Sequence, residues 1–212
     1  SVNVGLGFKV PKNPYDKKRV CGGSSGGAAG FTSITQLPHI ALAESTGGSI
    51  AVPASYCGVV GFTPSYGVVS RYGLIDYANS LDKIGTIAKD VDDAFVLFSV
   101  IHGKDDKDST SVNTPLKSKS IKKIGVIKEF LPKDPSLKDL ILKKLEDYNY
   151  EYVSLPFTTK YSVATYYIIA MSEASTNLAK YCGLRYGMQM KLDKQYKTYF
   201  SNSIYSLSYN QF

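Results

Sequence analysis

Cysteine and histidine are scarce in this chain. Among 212 residues there are three cysteines and two histidines. Cys21, Cys57 and Cys182 stand far apart, and no CxxC pair or Cys/His cluster occurs. That excludes a legible zinc site or disulfide framework, and the thiols are expected reduced and mostly buried. A histidine-dependent hydrolase has only His39 and His102 to draw on. His39 follows Pro38, His102 precedes Gly103, and neither has an acidic neighbour in a telling context. No apolar run reaches the roughly 18 residues needed to span a bilayer, so no membrane contact is expected. Residues Ser1 to Val10 carry no signal-peptide pattern. The chain opens on Ser rather than Met and reads as part of a longer protein.

What is present is ordinary globular composition, with 43% hydrophobic and 20% charged residues. This length can bury a sizeable core. The expectation is one domain over 1–212, incomplete at both ends. The formal net charge is +7. Lys9, Lys12, Lys17, Lys18 and Arg19 form one basic cluster, and nine lysines lie between Lys117 and Lys144. Such faces could meet an acidic partner, RNA included. No nucleic-acid motif accompanies either cluster, so a solvated lysine-rich face is the simpler reading.

The pattern of apolar residues predicts alternating helices and strands, hence an α/β domain. His39 to Glu44 is a buried strand candidate. Asp90 caps a helix running to about Ile101, and Gly103 ends it. Lys104 to Ser120 is polar and reads as a surface loop, where the chain changes character. Beyond it, Lys123–Lys128 and Glu151–Leu155 are strand candidates. Between them lies a helix capped by Ser136, with Leu137, Leu140, Ile141 and Leu145 on one face; together they make a βαβ unit. Ser162 to Cys182 reads as a long helix with Ala164, Ile168, Met171, Ser175, Leu178 and Cys182 on one stripe, stopped by Gly183.

Two serine motifs carry the chemistry. In Gly22-Gly23-Ser24-Ser25-Gly26-Gly27-Ala28-Ala29-Gly30, glycines flank a serine pair and clear side chains from around the hydroxyls. A phosphate cradle fits poorly, because no Gly-Lys-Ser/Thr ending follows. Gly22-x-Ser24-x-Gly26 fits a nucleophile elbow, and a flexible linker is the third reading. The elbow would need a histidine, which leaves only His39 or His102. The second motif is Glu44-Ser45-Thr46-Gly47-Gly48-Ser49-Ile50, whose Ser49 lies twenty-five residues beyond Ser24. A strand that ends in Thr-Gly-Gly-Ser makes a tight turn with several N–H groups beside a serine, which an oxyanion hole requires. Alone, it could equally be a structural turn.

The two motifs in this order resemble the amidase-signature family. The resemblance continues through residues 53–67 (PASYCGVVGFTPSYG), 69–74 (VSRYGL) and 80–85 (SLDKIG). Asp105–Ser111, Lys123–Leu131 and Tyr166–Gly187 extend it, so that it runs from about Asn13 to Gly187. Within the family it is most similar to the glutamine-hydrolysing A subunits of tRNA-dependent amidotransferases. It implies an amidase-signature fold, a mixed twisted sheet flanked by helices, here partial. It implies Ser49 as acyl-ester nucleophile, Ser24 as a bridging serine in a cis peptide, and Thr46, Gly47, Gly48 and Ser49 amides as the oxyanion hole. The family's base is a lysine well upstream of the glycine-rich loop. Lys9, Lys12, Lys17 and Lys18 lie too near that loop to match it, so no catalytic lysine is assigned and the chain alone is expected to be inactive.

No cofactor is implied in this subunit; ATP is used by the partner complex. The implied partners are a B subunit and a small third subunit, with glutamine and Glu-tRNA(Gln) as substrates of the assembly. The lysine- and tyrosine-rich composition suits a mitochondrial matrix, although bacterial cytoplasm and plastids house the same subunit. Two departures stand out. The family usually has Asp where this chain has Ser45, and Arg where it has Ala51. Losing both members of a charge pair leaves no unpaired charge, so the turn can persist. The rival readings are a general small-amide amidase and a degenerate relative without chemistry.

Overall fold

The computed structural model describes residues 9–116 and 122–181. It is an α/β fold in two compact units, one made of 1–114 with 170–212, the other of 115–169. The boundary at 114/115 falls inside the polar stretch where the sequence changes character.

The first unit is built on a three-stranded antiparallel sheet in the order β1-β3-β2. The strands are β1 (Ala41–Ser45), β2 (Val60–Phe62) and β3 (Lys83–Ala88). In β1 against β3, Ser45 stands opposite Lys83 and Ala41 opposite Ile87. The central strand is buried from Gly85 to Ala88, as a strand flanked on both edges should be. β1, expected to be buried, lies at the edge of this sheet and leaves Leu42 exposed.

Three helices pack on this sheet. α1 (Gly26–Ile34) follows the first serine motif directly, so that segment is not a linker. Its glycines are poor helix formers, and packing compensates. Gly26, Ala29, Gly30 and Thr32 are buried, and a side chain at Gly30 would sit 3.1 Å from the Cys21 sulfur. α2 (Ala51–Cys57) follows the second motif and ends on Gly58 in the left-handed conformation. α3 (Val91–Ile101) is capped as expected, with the Asp90 carboxylate accepting from the Asp93 N–H at 2.8 Å. Its Phe98 ring packs edge-on to Phe62, with centroids 4.8 Å apart.

Cys21, Ala29, Ile50, Cys57 and Ile87 form the core cluster. It adjoins the two serine motifs along the chain: Cys21 is three residues before Ser24, and Ile50 follows Ser49. Both cysteines are free and buried, as expected; burial pushes the Cys57 thiol up to about 12. Cys182 lies outside the described residues.

The polar stretch after α3 is anchored rather than loose. The Ser70 hydroxyl donates to Asp105 at 2.7 Å, and the Arg71 N–H to Asp108 at 2.8 Å. Residues 117–121 lie outside the described residues.

In the second unit, β4 (Ile124–Ile127) and β5 (Tyr150–Val153) pair in parallel, joined through α4 (Pro135–Leu145). This is the βαβ unit read from the sequence. The cap of α4 is Asp134, not Ser136: its carboxylate accepts from the Leu137 N–H at 3.0 Å and Pro135 opens the helix. The reason is that Pro135 is favoured at the first helical position, which moves the cap to the residue before it. α5 (Pro156–Ala179) starts earlier than expected, and its residues from Ala170 onward belong to the first unit. Its buried positions are Ala170 and Ala174, whereas Ile168 and Met171 of the expected stripe are exposed. Periodicity found a helical face, but not the face this fold covers. The Gly183 stop lies outside the described residues.

Candidate active site

Both serines sit where an element ends and a helix begins. Ser24 follows a cis peptide bond from Gly23, the geometry the family resemblance implied. Ser25 then occupies the cap position of α1, but its hydroxyl does not cap the helix. It donates instead to the Glu44 carbonyl at 3.3 Å. The Ser25 N–H donates to the Ser49 carbonyl at 3.1 Å. Two bonds therefore fasten the first motif to the second through Ser25, the residue next to Ser24. Ser24 is exposed and Ser49 half-buried.

The Thr46–Ser49 turn bridges β1 and α2. Gly48 has φ of 120°, a conformation open to glycine and strained for other residues. The Ser45 hydroxyl accepts from the Gly48 N–H at 3.1 Å. The short side chain at the position where the family usually has Asp thus serves as an acceptor inside the turn. The Gly48 carbonyl accepts from Val52 at 2.9 Å, which starts α2. The Gly48 amide is therefore directed into the turn. Thr46 is buried and Gly47 exposed.

A charged cluster adjoins the turn, and sequence reasoning assigned it no role. Asp82 is 1% exposed, and its carboxylate accepts from the Ala78 and Tyr77 N–H groups at 3.0 Å. Burial, the Asp82 charge and a hydrogen bond with Asp82 raise the Glu44 carboxyl to about 7, and Lys83 opposes the rise. One buried Glu44 oxygen has no partner among the described residues. The Lys83 ammonium donates to the Leu81 carbonyl at 2.6 Å and to the Thr46 carbonyl at 3.4 Å. The available signal was an Asp-Lys pair opening an apolar strand, a pattern that chemistry motifs do not register.

Lys9, Lys12, Lys17 and Lys18 are exposed. His102 caps the end of α3, its Nδ1 2.9 Å from the Ser99 carbonyl. His39 stands edge-on to Phe31, with centroids 4.9 Å apart. The elbow reading therefore finds no base for Ser24 in either histidine.

A family model described as Amidase matches residues 4–208, and the chain belongs to that family. Among its relatives, the A subunit of the glutamyl-tRNA(Gln) amidotransferase of Persephonella marina is 49% identical over 196 residues, covering 86% of this chain and 40% of that protein. The corresponding protein of Archaeoglobus fulgidus is 44% identical over 200 residues, covering 92% of this chain and 43% of that protein. The crystal structure of the same A subunit from Thermotoga maritima superposes with a TM-score of 0.72 at 38% identity, covering 95% of this chain and 44% of that one. The peptide amidase of Stenotrophomonas maltophilia matches at 26% identity and a TM-score of 0.66, over 82% of this chain and 39% of that one. The chain thus spans about two fifths of the length of these relatives.

Proposed function

We propose that this chain supplies the two serines of a serine amidase, in the glutamine-hydrolysing subunit of a tRNA-dependent amidotransferase. Ser49 Oγ attacks the carbonyl carbon of the glutamine side-chain amide, and its proton passes through Ser24 Oγ. The oxyanion forms against the Thr46–Ser49 turn. With the Gly48 amide directed at the Ser45 hydroxyl, the Thr46, Gly47 and Ser49 amides are its donors, and Gly48 sets the turn. The C–N bond then breaks, a proton returns through the same relay, ammonia leaves, and water clears the acyl ester. A serine needs a base; we assign none in this chain. The observation that carries the reading is the 3.1 Å bond from the Ser25 N–H to the Ser49 carbonyl, which holds the two motifs together.

In this proposal a B subunit uses the ammonia, with ATP, to convert Glu-tRNA(Gln) to Gln-tRNA(Gln), and a small third subunit completes the complex. The identities of 44–49% to proteins named as the amidotransferase A subunit favour glutamine over other small amides. Among the described residues no helix is long and apolar enough to cross a membrane. We propose the mitochondrial matrix on composition alone, to be checked by imaging the tagged full-length protein.

The test is covalent trapping. The full-length protein is treated with an acylating glutamine analogue and its peptides are mapped by mass spectrometry. The expected adduct is on Ser49 and disappears in Ser49→Ala. An adduct elsewhere, or none under conditions where the protein is folded, overturns the assignment.

A further inference from the structure

We propose that Lys83 is a positioning residue for this amide-cleaving reaction: its ammonium holds the Thr46 carbonyl and thereby aims the Gly47 N–H at the oxyanion. The inference rests on the serine-amidase reading above.

In a trans peptide the carbonyl and the N–H point in opposite directions, and the cis bond found among the described residues is Gly23–Ser24, not Thr46–Gly47. A donor that fixes the Thr46 carbonyl on one side therefore fixes the Gly47 N–H on the other. Lys83 is that donor, at 3.4 Å from the Thr46 oxygen. It is held there by a shorter bond, 2.6 Å, to the Leu81 carbonyl. Its backbone is fixed opposite Ser45 in the β1–β3 ladder, one residue before Thr46. One side-chain bond and the ladder pairing therefore tie the start of β3 to the turn.

The charges around it fit the role. Burial lowers the Lys83 ammonium below its ordinary value, and the charges of Glu44 on β1 and Asp82 at the entry to β3 work against that and favour the charged form. Glu44 also receives the Ser25 hydroxyl through its carbonyl. Glu44, one of the two acids beside Lys83, thus also joins the two serine motifs. A hydrogen bond to a preorganised main-chain donor matters most where charge develops in the transition state. Loss of Lys83 should accordingly slow the chemical step and leave substrate affinity unchanged.

The test uses the full-length protein in its complex and compares wild type, Lys83→Met, Lys83→Gln and Ser49→Ala. Lys83→Met keeps the length and apolar stem of the side chain but donates nothing; Lys83→Gln restores a donor without charge. Expected is a fall in kcat for glutamine hydrolysis of about tenfold in Lys83→Met, smaller than the roughly 10²–10³ for deleting a direct donor, with KM within about twofold of wild type. Lys83→Gln should recover most of it. The rate at which a small fluorophosphonate labels Ser49, which also places an oxygen in the hole, should fall by the same factor and serves as a second readout if turnover is too slow to measure. Wild-type kcat in Lys83→Met, a change confined to KM, or equal loss in Lys83→Gln and Lys83→Met overturns the inference. Activity that survives Ser49→Ala overturns the underlying reading instead.

Discussion

Glu44 and Asp82 bring two carboxyl groups into contact beside the Thr46–Ser49 turn, and one Glu44 oxygen is buried without a partner among the described residues. Burial first, and then the Asp82 charge, lift Glu44 to about 7 against an ordinary 4.5. A carboxyl raised in the folded state stabilises nothing by ionising. Its penalty is absent below the unfolded value, grows as pH rises from about 4.5 to 7, and is complete above 7. Glu44→Gln, neutral at every pH, should therefore be more stable than wild type at pH 8 and match it near pH 4. Solvent screening of this half-buried group leaves about 1 kcal/mol of the shift, roughly 2–4 °C in Tm. Thermal unfolding across that pH range measures it; a gap independent of pH would contradict the assignment.

Ser45 is 2% exposed and accepts from Gly48. Ser45→Ala leaves that N–H without its turn acceptor, at about 1–3 kcal/mol. Tm should drop accordingly, and Ser49 labelling should slow with it, because the same turn carries the nucleophile. Labelling at the wild-type rate in a destabilised Ser45→Ala would separate the turn from the chemistry.

Asp108 accepts from the N–H groups of Arg71 and Thr110 and from the Thr110 hydroxyl, and it pairs with Arg71 Nε at 3.8 Å. Both side chains are largely buried, 14% and 9% exposed. Asp108→Ala removes the acid and leaves the guanidinium, which should cost about 3–5 kcal/mol. Urea unfolding gives the value. A loss below about 1 kcal/mol would show that the pair is a weak tie.

Ile50 is fully buried in the core cluster immediately after Ser49. Ile50→Ala should lower stability by about 2–5 kcal/mol, again read from urea unfolding. Ile50→Val, which removes one methylene, should lose about 0.5–1.5 kcal/mol.

The isolated 212 residues are expected to show no Ser49-dependent glutaminase activity, since no base is assigned in them. Ammonia release by the purified chain that Ser49→Ala abolishes would show that a base is present after all.

The βαβ unit from Ile124 to Val153, the α3 cap at Asp90 and the strand leading into the Ser49 turn were legible in the sequence, whereas the helices that follow the two serine motifs were not. The legible features depend on short-range patterns: period-two strands, an acceptor before a helix, glycine around a hydroxyl. The α4 cap was misplaced by two residues because Pro135 competes with Ser136 for the first turn. The central strand β3 was not read, because Lys83–Ala88 mixes glycine, threonine and alanine and acquires its strand character from two flanking partners.

Local sequence determined the chemistry available: two glycine-wrapped hydroxyls, a turn rich in amides, and thiols too far apart for a framework. Tertiary structure alone decided which of these meet. Ser25 finds Ser49 and Glu44, and Lys83 finds Thr46, across 19 to 37 residues of chain. No periodicity encodes such contacts, because they are set by how β1 and β3 pair and how α1 packs over them, and the burial that results raises the Glu44 carboxyl.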